Sequence, residues 1–121
     1  LVTAVLVPDS AGPARAVFLK LGSRAYLVIS IVSVAAVIER GPDGRIARVR
    51  IAVGACSAVP QRLPAVEARL IGLEDARPVA AEVGPEDLAP LSPIDDVRAT
   101  AAYRLEAALI LVRRAIRELA R

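Results

Sequence analysis

No charged residue falls between Ala25 and Ile38, and this run is apolar on both alternating faces, with Leu27, Ile29 and Ile31 on one and Val28, Val32 and Val34 on the other. It is shorter than the roughly 20 apolar residues a membrane-spanning helix needs. A strand apolar on both faces has to be covered on both. Ala25 to Glu39 is therefore expected as a central strand, and no membrane contact is expected. Ser30 and Ser33 interrupt it, one on each face, and a buried hydroxyl there needs a partner in backbone, water or ligand.

Turn chemistry divides the rest of the chain. Leu1 to Val7 is rich in β-branched residues and closes at Pro8-Asp9-Ser10, which predicts a first strand entering a turn. Pro13 suits a first helical position, and Val17, Phe18 and Leu21 recur at helical spacing, so Ala14 to Leu21 is expected as a short helix stopped by a left-handed Gly22. Gly41-Pro42-Asp43-Gly44 is hairpin-turn chemistry, and the strand beyond it alternates, with Ala47, Val49, Ile51 and Val53 inward and Arg48 and Arg50 outward. Pro64 to Leu70, with Gly72 behind it, predicts a second short helix. From Leu73 to Pro93 the prolines at 78, 85, 90 and 93 permit only short helical turns.

The last segment, Asp95 to Arg121, predicts a long helix with a stripe of Val97, Ala101, Leu105, Ala108, Leu109, Val112, Ile116 and Leu119, and with Ser92 and Asp95 offering capping oxygens. The fold class that follows is α+β, a three-stranded antiparallel sheet with helices packed on one side and a long C-terminal helix. A chain of 121 residues makes one domain, 1–121, able to bury about two-thirds of its unfolded surface.

Composition narrows the chemistry. Tyr26, Tyr103 and Phe18 are the only aromatics, so the core is aliphatic and stacking on a flavin or base is thinly supplied. Cys56 is the sole cysteine, which rules out an intrachain disulfide and makes the cytoplasm the default compartment. The net charge of +3 comes from sixteen basic and thirteen acidic residues interspersed along the chain, a pattern of general solvated surface and not of a nucleic-acid site. Leu1 follows no initiator in a sequence without methionine, so a fragment or excised domain is expected.

Histidine is absent, which removes the commonest general base and metal ligand together. Cys56 alone makes no zinc site and reads as a small buried side chain. Asp95 and Asp96 are adjacent carboxylates, but at a helix start they serve exposed amides. The glycines show neither P-loop nor dinucleotide-binding spacing. Lys20, Gly22, Ser23 and Arg24 form a small basic turn that suits either solvent or a phosphate or ribose.

Three blocks in order carry a resemblance: Lys20-Leu-Gly-Ser-Arg-Ala-Tyr-Leu-Val-Ile-Ser-Ile-Val-Ser-Val-Ala-Ala36, then Val53-Gly-Ala-Cys-Ser-Ala-Val59 with Arg62-Leu-Pro-Ala-Val-Glu67, then Pro93-Ile-Asp-Asp-Val-Arg-Ala-Thr-Ala-Ala-Tyr-Arg104. Together they resemble the C-terminal domain of the FAD-binding medium subunit of molybdenum hydroxylases, the carbon monoxide dehydrogenase and xanthine dehydrogenase family. The N-terminal stretch is similar to the segment by which that subunit enters this domain. The resemblance implies an oxidoreductase context in which FAD passes electrons from iron–sulfur clusters to an acceptor, with a molybdopterin large subunit and an iron–sulfur small subunit as partners. It implies that two preceding FAD-binding domains hold the phosphates and that this domain closes over the flavin. Ser30 becomes the first candidate contact, Lys20 and Arg24 the second, while Arg98, Thr100 and Tyr103 look like fold elements.

On that reading the isolated chain binds no cofactor and catalyses nothing. The alternative is a free-standing interaction or scaffold module with the same fold and no cofactor. At 100° per residue Tyr103 and Ile110 fall opposite the main stripe of the long helix, either under residues 88–94 or free as a surface for a partner or for self-association.

Overall fold

A computed structural model of the chain describes residues 1–7 and 13–120. The turn expected at Pro8-Asp9-Ser10 and the final Arg121 lie outside the described residues. Four strands, β1 (Ala14–Leu21), β2 (Val32–Arg40), β3 (Ile46–Gly54) and β4 (Gln61–Arg62), form one antiparallel sheet in sequence order. The helices are α1 (Pro64–Leu70), α2 (Arg77–Glu82), a 3₁₀ turn (Pro85–Leu88) and α3 (Ala101–Leu119). The α+β class holds, with four strands among the described residues where three were expected.

Two expectations at the N-terminal end are corrected. Residues 14–21 are an edge strand, not a helix, because Val17, Leu19 and Leu21 lie on one alternating face and pair opposite Ala36, Val34 and Val32 of β2. The helical spacing of Val17, Phe18 and Leu21 fitted both periods, and the neighbouring strand decided between them. Residues 1–7 form no strand and are exposed along their length. A β-branched segment gains nothing from extension until a second strand accepts its hydrogen bonds.

The hairpin between β2 and β3 forms as its turn residues require. Gly44 donates to the Gly41 carbonyl at 3.0 Å with φ +78°, and the Asp43 carboxylate accepts from the Arg45 N–H at 3.1 Å. Register shifts by one residue just past the turn, where Glu39 faces Arg48 but Arg40 faces Ile46. This bulge buries Ile46 and turns Ala47 out to solvent, so Ala47 is not inward as the alternation implied. Val49, Ile51 and Val53 do point inward, joined by Val34, Ala36 and Ile38 of β2.

That inner face is covered chiefly by α3. The helix starts at Ala101, six residues after Asp95, with Thr100 as N-cap accepting from the Tyr103 N–H at 3.2 Å. Asp95 still caps, through the Ala101 N–H, but Ser92 does not and Val97 lies fully exposed before the helix. The buried face runs through Arg104, Ala107, Ala108, Val112, Ala115, Ile116 and Leu119, leaving Leu105 and Leu109 half-buried. Its alanines have no side-chain bulk to hold the backbone off the sheet.

Helix α1 forms where expected, with Pro64 in its first turn and Gly72 behind it at φ +81°. It is tied to β3 by Glu67, a buried carboxylate that accepts from the Ile51 N–H at 2.8 Å and from Arg62 Nε at 2.6 Å. The short β4 ends at Arg62, and the Glu67 side chain takes the next β3 donor in place of a further strand residue. Burial alone would push the Glu67 carboxyl up, but the bonds from Arg62 and Ile51 outweigh it and the net shift is downward.

The opposite face of the sheet is open. Phe18, Ala35 and Ala52 form a row across three strands, with Phe18 65% exposed and Ala35 exposed. The expectation of cover on both faces is therefore met on one face only within the described residues. No helix among the described residues is long and apolar enough to cross a membrane.

Candidate functional site

The three candidate contacts sit around the loop between β1 and β2. Residues 22–31, expected to be mostly strand, fold back as a loop at the end of the sheet, and β2 begins only at Val32. The loop is closed at its base by the Ile31 N–H donating to the Leu21 carbonyl at 2.8 Å. Lys20 Nζ donates to the Val28 carbonyl at 2.5 Å, and Arg24 Nη2 donates to the Leu27 carbonyl at 2.6 Å. Both cations hold the loop's shape and bring Tyr26, Leu27 and Ile29 into solvent.

Gly22 is not in the left-handed region expected of it. A Cβ there would lie 2.6 Å from Val28 Cγ1, so glycine lets the returning loop pass. The left-handed residue of this loop is Leu27 at φ +51°, an uncommon conformation for a branched side chain, held by the Arg24 bond to its own carbonyl.

Ser30 is half-buried and precedes β2. It lines a cavity of about 640 Å³ that Lys20 and Arg24 do not line, so the structure separates the first candidate from the other two. Ser33 lies on β2, on the open face, opposite Lys20 and Gly54. The two serines are therefore not on opposite faces of one strand as expected.

Arg104 is the residue that the sequence reading passed over. It is 3% exposed, and its guanidinium donates to the Ile31 carbonyl at 2.6 Å, the Ala55 carbonyl at 3.0 Å and Asp96 Oδ1 at 2.7 Å. It thus clamps the start of β2, the end of β3 and the lead-in to α3. One signal for it was present, since position 104 falls one turn from both Ala101 and Ala108 on the apolar stripe. Asp96 also accepts from the Arg98 and Ala99 N–H groups at 2.8 and 3.2 Å. The Arg98 amide first, then the Arg104 and Arg98 side chains, hold its carboxyl well below the usual carboxylate range. Asp95 and Asp96 are thus committed to backbone and guanidinium partners and form no acid and base pair.

Cys56 is buried beside Arg104, and burial pushes its thiol up with a smaller opposing pull from the guanidinium. Ser92 donates its N–H to the Cys56 carbonyl at 3.0 Å and to Ser57 Oγ at 2.9 Å. That fixes residues 90–98 across the end of β3.

This arrangement can be set against known families, and the one described as the CO dehydrogenase flavoprotein C-terminal domain matches residues 17–119. The chain belongs to that family. Solved structures share the fold of this CO dehydrogenase flavoprotein C-terminal domain. A chain of the Cu,Mo-CO dehydrogenase in its cyanide-inactivated form aligns over 94% of it with a TM-score of 0.74 and 23% identity. For the Hydrogenophaga pseudoflava carbon monoxide dehydrogenase lacking the Mo-pyranopterin moiety, the coverage is 93%, the TM-score 0.72 and the identity 25%. Quinoline 2-oxidoreductase from Pseudomonas putida 86 gives 88%, 0.76 and 23%. The chain spans only 38%, 38% and 37% of those three chains. No curated protein matches it in sequence.

Proposed function

We propose that the chain is the flavin-covering and subunit-packing domain of an FAD-containing subunit of a molybdenum hydroxylase, and that it has no activity alone. When bound in the parent subunit, FAD would relay electrons from iron–sulfur clusters to an acceptor. The observation that carries this reading is a family match across a domain whose sheet is covered on one face only by the described residues. A domain that packs against preceding FAD-binding domains needs such a face.

The residues present fit a flavin at one point. Ser30 has a hydroxyl at the rim of a cavity and suits an edge contact to the ring, whereas Lys20 and Arg24 are spent on loop carbonyls and suit the role of shaping the loop. Phosphate binding then falls to the preceding domains. The test is a flavin fluorescence titration. The isolated chain is expected to bind FAD no more tightly than about millimolar, because little binding energy remains without a phosphate site. Micromolar binding by the chain alone would overturn the division of labour.

In the full subunit, Ser30→Ala is expected to shift the flavin potential or the acceptor kinetics while leaving the melting temperature nearly unchanged. A loss of about 2 kcal/mol or more in the isolated chain would instead make the hydroxyl a structural partner.

Partner subunits, among them molybdopterin and iron–sulfur chains, need a second surface, and α3 offers one. Tyr103 and Ile110 are 48% and 64% exposed, and residues 88–94 do not bury them. Tyr103→Ser with Ile110→Lys is expected to leave the monomer melt within about 1 kcal/mol of the parent while weakening subunit assembly. Unchanged assembly in analytical ultracentrifugation would remove this face from the proposal.

A further inference from the structure

The cavity beside Ser30 has a chemistry that the flavin reading does not use. It opens between the loop before β2, the turn after β3 and residues 90–98, a half-open cavity of about 640 Å³, within the range of small-molecule sites. Its walls are partly apolar, and two of them, Ile29 and Ile94, are 62% and 71% exposed in a domain that buries most of its isoleucines. Two guanidiniums, Arg98 and Arg104, and one carboxylate, Asp96, also line it.

The carboxylate is already satisfied. Asp96 Oδ1 accepts from two backbone amides and from Arg104, and Oδ2 accepts from Arg98 Nη1 at 2.9 Å. The guanidiniums are not. Arg104 Nε is buried with no hydrogen-bond partner, and Arg98 spends only Nη1 on a side-chain partner among the described residues. Arg104 Nε is closed off from solvent, so an incoming anion meets Arg98 directly and feels Arg104 only through its charge. The site therefore carries one positive charge beyond its own carboxylate, with apolar walls around it. The Ala55 carbonyl that fixes Arg104 comes from a residue at φ +64°, an uncommon conformation for a side chain with a Cβ, maintained at the edge of this cavity.

We propose that this cavity binds a small organic carboxylate with an apolar body, the carboxylate pairing with Arg98, the charge of Arg104 behind it, and the body lying against Ile29 and Ile94. The site shares Ser30 with the flavin reading but needs no flavin, because its charge comes from Arg98 and Arg104 and no FAD-holding domain takes part.

Benzoate is the probe. Titrated into the 121-residue chain without FAD and followed by amide chemical shifts, it is expected to saturate at about millimolar, with the largest shifts at Ser30, Ala58 and Arg98. Neutral benzamide and the bare anion acetate are each expected to bind at least about tenfold more weakly, one lacking the charge and the other the body. Arg98→Ala should weaken benzoate by about tenfold, since Asp96 keeps its Arg104 bond and the domain stays folded. Should that variant melt, Ala58→Trp, which fills the mouth of the cavity, has to abolish binding. No saturation by about 20 mM, equal binding of benzamide or acetate, or full binding by the folded variant overturns the proposal. None of these outcomes bears on the FAD titration, so either reading can fail alone.

Discussion

Arg104→Ala is expected to cost the domain about 3–5 kcal/mol, the sum for two carbonyls that lose a charged donor. The magnitude follows from what is left behind. The Ile31 and Ala55 carbonyls lose a charged donor at 2.6 and 3.0 Å, and each charge-assisted bond contributes roughly 1.5–3 kcal/mol. Asp96 is not orphaned, because Arg98 and two amides still hold it. Urea unfolding should show the midpoint falling with the slope unchanged. A loss under about 1 kcal/mol would mean that water reaches both carbonyls, and the clamp across β2, β3 and α3 would then be incidental.

The same cluster sets a pH dependence. The folded state lowers the Asp96 carboxyl below its unfolded value, near 3.9 for a free aspartate, so its contribution is fully present above that value. It is lost as the pH falls through the folded value. Glu67 is lowered as well and acts in the same direction, while the arginines stay charged throughout. Acid should therefore destabilise the domain, and Arg104→Ala should flatten the acid limb because Asp96 has then lost one of its stabilising partners.

How much of this was legible in the sequence depended on whether the deciding interaction was local. The turn at Gly41-Pro42-Asp43-Gly44 carries its own chemistry, and α1 is bracketed by Pro64 and Gly72, so both were found to the residue. Residues 14–21 were not, since eight residues hold too few repeats to separate period 3.6 from period 2, and pairing with β2 made the choice. The apolar run from Ala25 was read as strand seven residues too early. Its first half is a loop held by Lys20 and Arg24 through carbonyls that no pattern of side chains announces. Ala47 was misplaced by a bulge, which shifts alternation by one without a mark in the sequence. The backbone partners of Glu67 and Arg104 lie 16 to 73 residues away, and they are in reach only once the sheet has formed.

On the candidate site, the family resemblance points to Ser30 and the structure puts it on a cavity, while Lys20 and Arg24 face their own loop. The cavity itself was not legible. It is assembled from three connections that are distant in sequence, and only Arg104, a charge on an apolar stripe, hinted at it.

The second large effect separates the two faces of the sheet. Ile51 is fully buried near the centre of β3, on the inner face that α1 packs against, and Ile51→Ala should cost about 2–5 kcal/mol for the removed methylenes and the cavity they leave. The backbone bond from its N–H to Glu67 survives the substitution, so the loss reports packing alone. Phe18 is a larger side chain on the same sheet, and Phe18→Ala should cost the isolated chain less than about 1 kcal/mol, since only strand propensity and a half-solvated contact are lost. The order of the two costs is thus the reverse of what side-chain size suggests. Paired thermal and urea melts of the two variants measure it directly. Were Phe18→Ala to melt like the core variant, the row through Phe18, Ala35 and Ala52 would be covered within the chain itself, and the open face on which the subunit-packing role rests would not exist. On the proposed subunit-packing role, Phe18→Ala should matter in the full subunit instead, where preceding domains would supply the layer this face lacks, and its effect there should appear as weakened domain docking at unchanged stability of the domain alone.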